Sequence, residues 1–254
     1  MISPSFKFHK TTPNDFSKII DSMKINKKTS GDIPTYMLKS YIKYFRVSLA
    51  KCIIKAFLMG YFLPLLKMAD VVPCFKKSDP TDKSNYRPIS ILRALSKVFY
   101  LIIFEQIQAF IEPRLNMCGF RRGYGTRHTL FILLKKWQKS LHKGNIIRSM
   151  LMDLSKAYNL IPHDLLIVKL EAYGFSHESL KLLLSYLSDC KQRVKLGSSF
   201  SEWLGVSFEG SILGPIFLNK FINDLFLFIK NSEICNFADD NTFYVCDNNL
   251  ESVV

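Results

Sequence analysis

The run Ile234 to Val245, "ICNFADDNTFYV", constrains the chain more than any other. Two adjacent acids, Asp239 and Asp240, interrupt a stretch otherwise rich in aromatic and β-prone residues. Phe237 precedes them and Phe243, Tyr244 and Val245 follow, while Asn241 supplies turn chemistry. The pattern predicts a β-hairpin carrying two carboxylates at its tip. Taken alone, the tip is open to two readings, an acidic turn or a metal site.

A second strand sharpens the question. "IIRSMLMDLS" reads as a short apolar strand that ends in an acid, Asp153. A lone aspartate at a strand end is ordinarily a cap or turn residue. Asp153, Asp239 and Asp240 differ in following strongly apolar strands, which would fix them in a packed sheet. Adjacent like charges are unfavourable unless a cation offsets them. A hard divalent ion, Mg2+ or in its place Mn2+, takes such carboxylate oxygens together with phosphate oxygens. Two ions roughly 3.5–4 Å apart are what in-line nucleotidyl transfer uses.

The rest of the chain surrounds these strands with helices. Helices are expected after Asn14 ("NDFSKIIDSMK") and around "LAKCIIKAFLMG", separated by the basic, Gly/Pro-marked loop "NKKTSGDIP". "ADVVPCF" reads as a strand and "KKSDPTDKSNYRP" as a turn-rich excursion. Leu95, Phe99, Ile102, Ile103, Ile107 and Phe110 then recur at helical spacing. Leu130, Leu133, Leu134, Trp137 and Leu141 form one face of a further helix, which Gly144 stops. Helices follow from about Pro162 to Tyr173 and after Ser176, "KQRVKLG" and "EWLGVSF" look like paired strands, and "GSILGPIFLNKFINDLFLFIK" a turn leading into an apolar helix. The expected class is α+β, with an antiparallel sheet carrying acids at its strand ends.

Bulk properties narrow the partners. The 254 residues are 48% hydrophobic and 22% charged, as in globular proteins, and allow one large or two smaller domains. A total of 35 Lys and Arg against 21 Asp and Glu leaves a net charge of +14. Such an excess concentrates polyanions at the surface, nucleic acid above all, with a generally Lys-rich composition as the competing explanation. The six cysteines show no C-x-x-C pair, so neither a zinc module nor a disulfide framework is indicated, although Cys235 and Cys246 could face each other across the hairpin. No signal peptide is evident. The longest apolar stretch, "AFLMGYFLPLL", falls short of the roughly 20 residues that span a bilayer. The expectation is an intracellular protein, cytoplasmic or nuclear, with no membrane and no indicated protein partner.

Several segments in order resemble the reverse transcriptase of non-LTR, LINE-like retrotransposons. "ADVVPCFKKSDPTDKSNYRPISILRALSKVF" looks like the family's fingers block, A-x-V-x-P-x-x-K-K-G-D with N-Y-R-P-I-S. "CGFRRGYGT" resembles G-F-R-x-G-x-S-T, and "LMDLSKAYNLIPHDLLIVKLEAYGF" the motif with the core D-L-S-K-A-F-D. "GSILGPIFLNKFINDL" is similar to the G-S-I-L-G-P-L-L-F-x-x-x-I-N-D-L block, and "FADDNT" to the [FY]-A-D-D box.

The resemblance implies a right-hand polymerase: a helical lead-in over 1–62, fingers over 63–128 and an incomplete palm over 129–254, its antiparallel sheet packed on helices. The chain ends soon after Asp240, so the thumb is expected to be absent. The implied activity is RNA-directed DNA polymerisation, adding dNTPs to a DNA primer on an RNA template with two Mg2+ ions. Asp153 and Asp239 match the metal-binding aspartates, and Asp240 the second acid of the box. Tyr158 matches the aromatic that closes over the sugar edge of the nucleotide and excludes a 2′ hydroxyl. Lys76 or Lys77 and Arg87 match the basic residues that hold the triphosphate. Gly210 and Ser211 match the turn against the template, and Arg121 and Arg122 are candidate phosphate contacts, as are Lys191, Arg193 and Lys195 of "KQRVK".

The departures carry their own expectations. Asn159 stands where the family has a second acid, and Glu209 where it has glutamine. Ser78 replaces the usual glycine of K-K-G-D, and Gly125 the usual serine of G-x-S-T. A decayed or co-opted fragment that at most binds nucleic acid is therefore the alternative to an enzyme.

Overall fold

The computed structural model describes residues 5–25, 29–31, 33–114, 123–154, 161–206 and 213–249. In chain order the elements are α1 (Pro13–Ser22), α2 (Thr35–Met59), β1 (Met68–Phe75), β2 (Tyr86–Leu92), α3 (Ala94–Ile111), α4 (Thr126–Leu141), β3 (Ile146–Asp153), α5 (His163–Ala172) and α6 (His177–Leu187). There follow β4 (Cys190–Leu196), β5 (Ser199–Phe200), β6 (Leu204–Val206), α7 (Gly214–Ile222), α8 (Leu225–Phe228), β7 (Glu233–Phe237) and β8 (Asp240–Asp247). The mixture is α+β, and it divides into two compact units, Met1–Gln108 with His163–Gly214 and Ala109–Pro162 with Pro215–Val254.

In the first unit the helices begin and end where local chemistry allows. Thr12 and Asp15 form a capping box at α1, satisfying two backbone donors that a helix start leaves unpaired. Gly60 ends α2 at φ +60°, and a Cβ there would press on the Lys181 side chain at 2.8 Å. Ser176 caps α6. The core gathers Phe16, Ile20, Ile53, Ile103, Leu170 and Leu183, all essentially solvent-free; each such side chain contributes roughly 1.5–3 kcal/mol. Phe62, Tyr100 and Tyr186 pack with ring centroids 5.1–5.5 Å apart. The buried Lys67 ammonium donates to the carbonyls of Ser185 and Ser188 at 2.9 and 2.8 Å, at the negative end of α6.

The sheet of this unit runs β2-β1-β4-β5, with β6 also paired to β4. β1 and β2 are antiparallel, whereas β1 and β4 are parallel, in register from Met68↔Lys191 to Val71↔Val194. The expected pairing of "KQRVKLG" with "EWLGVSF" is present as β4 with β6. The second unit holds an antiparallel sheet of order β3-β8-β7, with α4 packed on β3 and β7.

Four elements differ from the sequence reading. Helix α2 starts well before "LAKCII": Leu38, Ile42, Ala50 and Ile53 face inward, but exposed Tyr36, Tyr41, Tyr44 and Val47 obscure the period. Strand β2 includes the Pro88 that had marked a turn, because an edge strand tolerates a missing backbone donor. The expected apolar face of α4 is not its buried one. Thr129 is buried and Leu133 and Trp137 half-buried, while Leu130, Leu134 and Leu141 are exposed. Finally, the helix over Ala94–Arg114 is long and apolar enough in composition to cross a membrane, which the sequence reading had denied any stretch. Most of it is buried inside the protein, through Val98, Phe99, Ile102 and Ile103 among others, as in a core helix.

Candidate active site

The three candidate aspartates come together at one end of the second unit's sheet. β7 and β8 form a hairpin whose closing pair is Phe237↔Asp240, leaving Ala238 and Asp239 as a two-residue loop. β8 is also the partner of β3, and the last pair of that ladder is Asp153↔Asp240. Directly opposed residues of an antiparallel pair share a face, with Cβ atoms about 4.5–5.5 Å apart. One step further, the Leu154 N–H donates to the Asp239 carbonyl at 3.3 Å, so the loop itself is tied to the end of β3. Asp153 and Asp240 are exposed and Asp239 half-exposed.

Two asparagines hold this tip. Asn236 and Asn241 are cross-strand partners, each 3% exposed. The Asn236 amide donates to Asn241 Oδ1 at 2.6 Å and to the Ala238 carbonyl at 3.1 Å; the Asn241 amide donates to the Asp239 carbonyl at 3.1 Å. Both loop carbonyls are thereby accounted for. Asn241 thus acts from the strand and not from within the turn. Ala238 has a φ of +59°, a left-handed conformation that costs a side-chain-bearing residue about 1–2 kcal/mol. The asparagine clamp offsets that strain. Sequence reasoning passed over Asn236. Counting outward from a two-residue loop would have paired it with Asn241.

Below the tip the hairpin is pinned to α4. Tyr244, in register with Glu233 and 2% exposed, donates to Glu233 Oε2 at 2.7 Å, and Lys136 reaches the same oxygen at 2.5 Å. The Lys136 hydrogen bond holds the Glu233 carboxyl below its usual range against the opposing effect of burial. Burial, and then the Glu233 contact, push the Tyr244 phenol up. Trp137 meets the Tyr244 ring edge-on at 5.8 Å. Cys235 lies opposite Thr242 and Cys246 opposite Ile147, so the two thiols do not face each other.

Among the described residues no group of three or more His, Cys, Asp or Glu closes around one point. The donor set nevertheless fits a hard divalent ion in kind. It offers carboxylate oxygens that make no ion pair or side-chain hydrogen bond among the described residues, on a rigid support. Mg2+ characteristically uses one or two carboxylates and completes its shell with water and substrate phosphates.

In the first unit, the fingers candidates Lys76, Lys77 and Arg87 stand exposed at the distal end of the β1–β2 hairpin, Arg87 opposite Cys74. The turn between the strands is ordered by Asp79, which accepts from Thr81, and by Asp82, which accepts from Ser84. Tyr86 donates to the Pro80 carbonyl at 2.8 Å. Ser78 has a φ of +74°, which explains why glycine suits that position.

Arg193 is a correction. Expected as a phosphate contact, it is committed within the protein, its Nε 2.8 Å from Asp70 Oδ1 and its guanidinium over the rings of Phe200 (3.8 Å) and Trp203 (4.6 Å). Burial alone would raise the Asp70 carboxyl, but hydrogen bonds from Ser30 and Arg193 and the Arg193 charge lower it overall. Tyr158, Arg121, Arg122, Gly210 and Ser211, with Asn159 and Glu209, lie outside the described residues.

Comparison with known proteins places the chain in a family. Residues 75–252 match the family described as Reverse transcriptase (RNA-dependent DNA polymerase). The chain is 30% identical over 174 residues to the "Probable RNA-directed DNA polymerase from transposon BS" of Drosophila melanogaster, covering 65% of this chain and 19% of that protein. It is 27% identical over 182 residues to the "RNA-directed DNA polymerase from mobile element jockey" of Drosophila funebris, covering 66% and 19%. The chain thus spans about a fifth of the length of these relatives. Among solved structures, an apo telomerase from Candida tropicalis, truncated from its C-terminal domain, aligns with a TM-score of 0.50 at 14% identity, covering 87% of this chain and 58% of that one. That likeness concerns the fold alone. With the family matched across both the basic hairpin and the aspartate-tipped sheet, the chain belongs to the reverse transcriptase (RNA-dependent DNA polymerase) family, as a domain of the non-LTR, LINE-like kind.

Proposed function

We propose that the chain carries the fingers and palm of an RNA-directed DNA polymerase, extending a DNA 3′ end with dNTPs on an RNA template. In this reading the β1–β2 hairpin belongs to the fingers and the β3-β8-β7 sheet to the palm. The observation that carries it is the register at the sheet end: Asp153 opposite Asp240, and Asp239 tied by its carbonyl to Leu154.

Asp153 and Asp239 would hold the divalent ions, with Asp240 beside them. When bound, the ions would favour deprotonation of the primer 3′ hydroxyl and neutralise charge on the departing pyrophosphate. The chain's own contribution is positioning. The asparagine clamp keeps the Asp239 backbone in one place, and the β3–β8 ladder keeps Asp153 at a fixed height opposite it. Lys76, Lys77 and Arg87 would receive the triphosphate, Arg87 as a fork to two oxygens and the lysines as point charges. Tyr158 would favour dNTPs over ribonucleotides, and Gly210, Ser211, Arg121 and Arg122 would face template and primer.

Primer extension on poly(rA)/oligo(dT) with Mg2+ tests the reading. The expected result is product from the wild type and a loss of at least about 100-fold for Asp153→Asn and for Asp239→Asn, with unchanged thermal melting. Equal product from the wild type and an Asp153→Asn/Asp239→Asn double variant would instead support an inactive, co-opted fragment.

A further inference from the structure

The outer face of α2 is the least expected surface in the first unit. An exposed helical face is ordinarily polar, yet here it carries Tyr36, Tyr41 and Tyr44, exposed by 57%, 53% and 72%. Met37, Val47, Leu58 and Met59 lie on the same side, also exposed. Tyr41 and Tyr44 stand with ring centroids 6.4 Å apart, and the Lys43 ammonium sits 4.9 Å from the Tyr44 ring.

Charge on this helix is wholly of one sign. Between Thr35 and Met59 there are five cations, Lys39, Lys43, Arg46, Lys51 and Lys55, and no acid. Two of them serve α1: Lys39 donates to the Asp21 carbonyl at 2.7 Å and Arg46 to the Asn14 side chain at 3.4 Å. Lys43, Lys51 and Lys55 point outward with the tyrosines. From Tyr36 to Lys55 the face runs roughly 30 Å at about 1.5 Å per residue.

We propose that the exposed face of α2 is a binding platform for single-stranded nucleic acid. Unpaired bases stack on Tyr36, Tyr41 and Tyr44 while their phosphates meet Lys43, Lys51 and Lys55. The combination of aromatic faces with a cationic track is what sequence-tolerant single-strand binding requires. A purely apolar protein surface would cover the tyrosines but leave Lys43, Lys51 and Lys55 without a counter-charge. A polyanion satisfies both features at once. The ligand class rests on the reading of the chain as a nucleic-acid enzyme, but the site is separate from the aspartate tip and the β1–β2 hairpin.

The test is fluorescence anisotropy of a labelled single-stranded oligo(rA), without nucleotides, against the wild type and three double variants. Tyr41→Ser/Tyr44→Ser is expected to weaken binding by about tenfold or more. Lys51→Glu/Lys55→Glu should weaken it and lower the slope of log affinity against log salt by about 1.4, the loss of two phosphate contacts. Lys135→Glu/Lys139→Glu, on the exposed surface of α4, is the charge-matched control and should lose clearly less affinity. Equal loss from the two charge reversals would assign the attraction to net charge and overturn the proposal. Unchanged RNA binding, with altered self-association or altered binding to phosphatidylserine vesicles in the tyrosine variant, would overturn it in favour of a protein or lipid surface. Failure of primer extension in the wild type, by contrast, leaves this binding result standing.

Discussion

Lys220 illustrates how a single residue can work against its surroundings. It lies in α7, among the buried Phe217, Leu218 and Ile216, and its side chain is fully enclosed. Burial, reinforced by the Arg114 charge and partly opposed by Asp224, brings its amine down to about 7 from the ordinary lysine range. Below that value the folded protein must bury an ammonium, so the full penalty applies. As pH rises from about 7 towards the unfolded lysine value, the unfolded chain still binds a proton that the folded chain has released, and stability increases. Lys220→Met should therefore stabilise the fold at about pH 6 by on the order of a few kcal/mol, seen as a higher melting temperature, and the gain should shrink towards pH 10. Melting curves across that range check it; a gain independent of pH would mean that packing, not charge, is responsible. The strain at Ala238 and Ser78 is also a residue-scale matter, and only the dihedral angles reveal it.

At the scale of elements, the β7–β8 hairpin depends on its asparagine pair more than on its acids. Removing the Asn236 side chain leaves the Ala238 carbonyl and Asn241 Oδ1 without their donor in a buried setting, a loss of about 1–3 kcal/mol. Asn236→Ala should lower the melting temperature and reduce primer extension, whereas Asp240→Asn should leave melting unchanged. Parallel melting and activity measurements separate the two. The start of α6 after Ser176 and the hairpin at "FADD" were legible in the sequence because each rests on neighbours within a few residues, whereas α1 begins at Pro13 behind its Thr12 cap, ahead of the expected start after Asn14. The length of α2 and the buried side of α4 were not. Aromatic and aliphatic residues sit on both sides of these helices, and only the neighbouring elements determine which side is covered.

For the whole molecule, the net charge of +14 is the property most directly expressed in behaviour. Binding to a single-stranded oligonucleotide should fall linearly in a plot of log affinity against log salt, by at least about tenfold between about 50 and 200 mM salt. Anisotropy titrations at several salt concentrations measure this, and a flat plot would mean that cations do not carry the binding. Each of the two units draws on two separate stretches of chain. Residues far apart in sequence, such as Asp70 and Arg193, become neighbours within one sheet.

By itself the sequence determined what each segment offers: acids at the ends of apolar strands, basic residues around a turn, caps at helix starts, and an order of motifs that belongs to one family. Those features are local, set by side-chain chemistry and by periods of two or about three and a half residues. Only the tertiary structure decided that β4 lies parallel to β1, that Arg193 is consumed by Asp70 and two aromatic rings, that Asp153 stands opposite Asp240, and that α2 turns its tyrosines outward. The physical reason is that strand partners and covered faces are selected by the joint burial and hydrogen bonding of the assembled chain. No single segment contains that information.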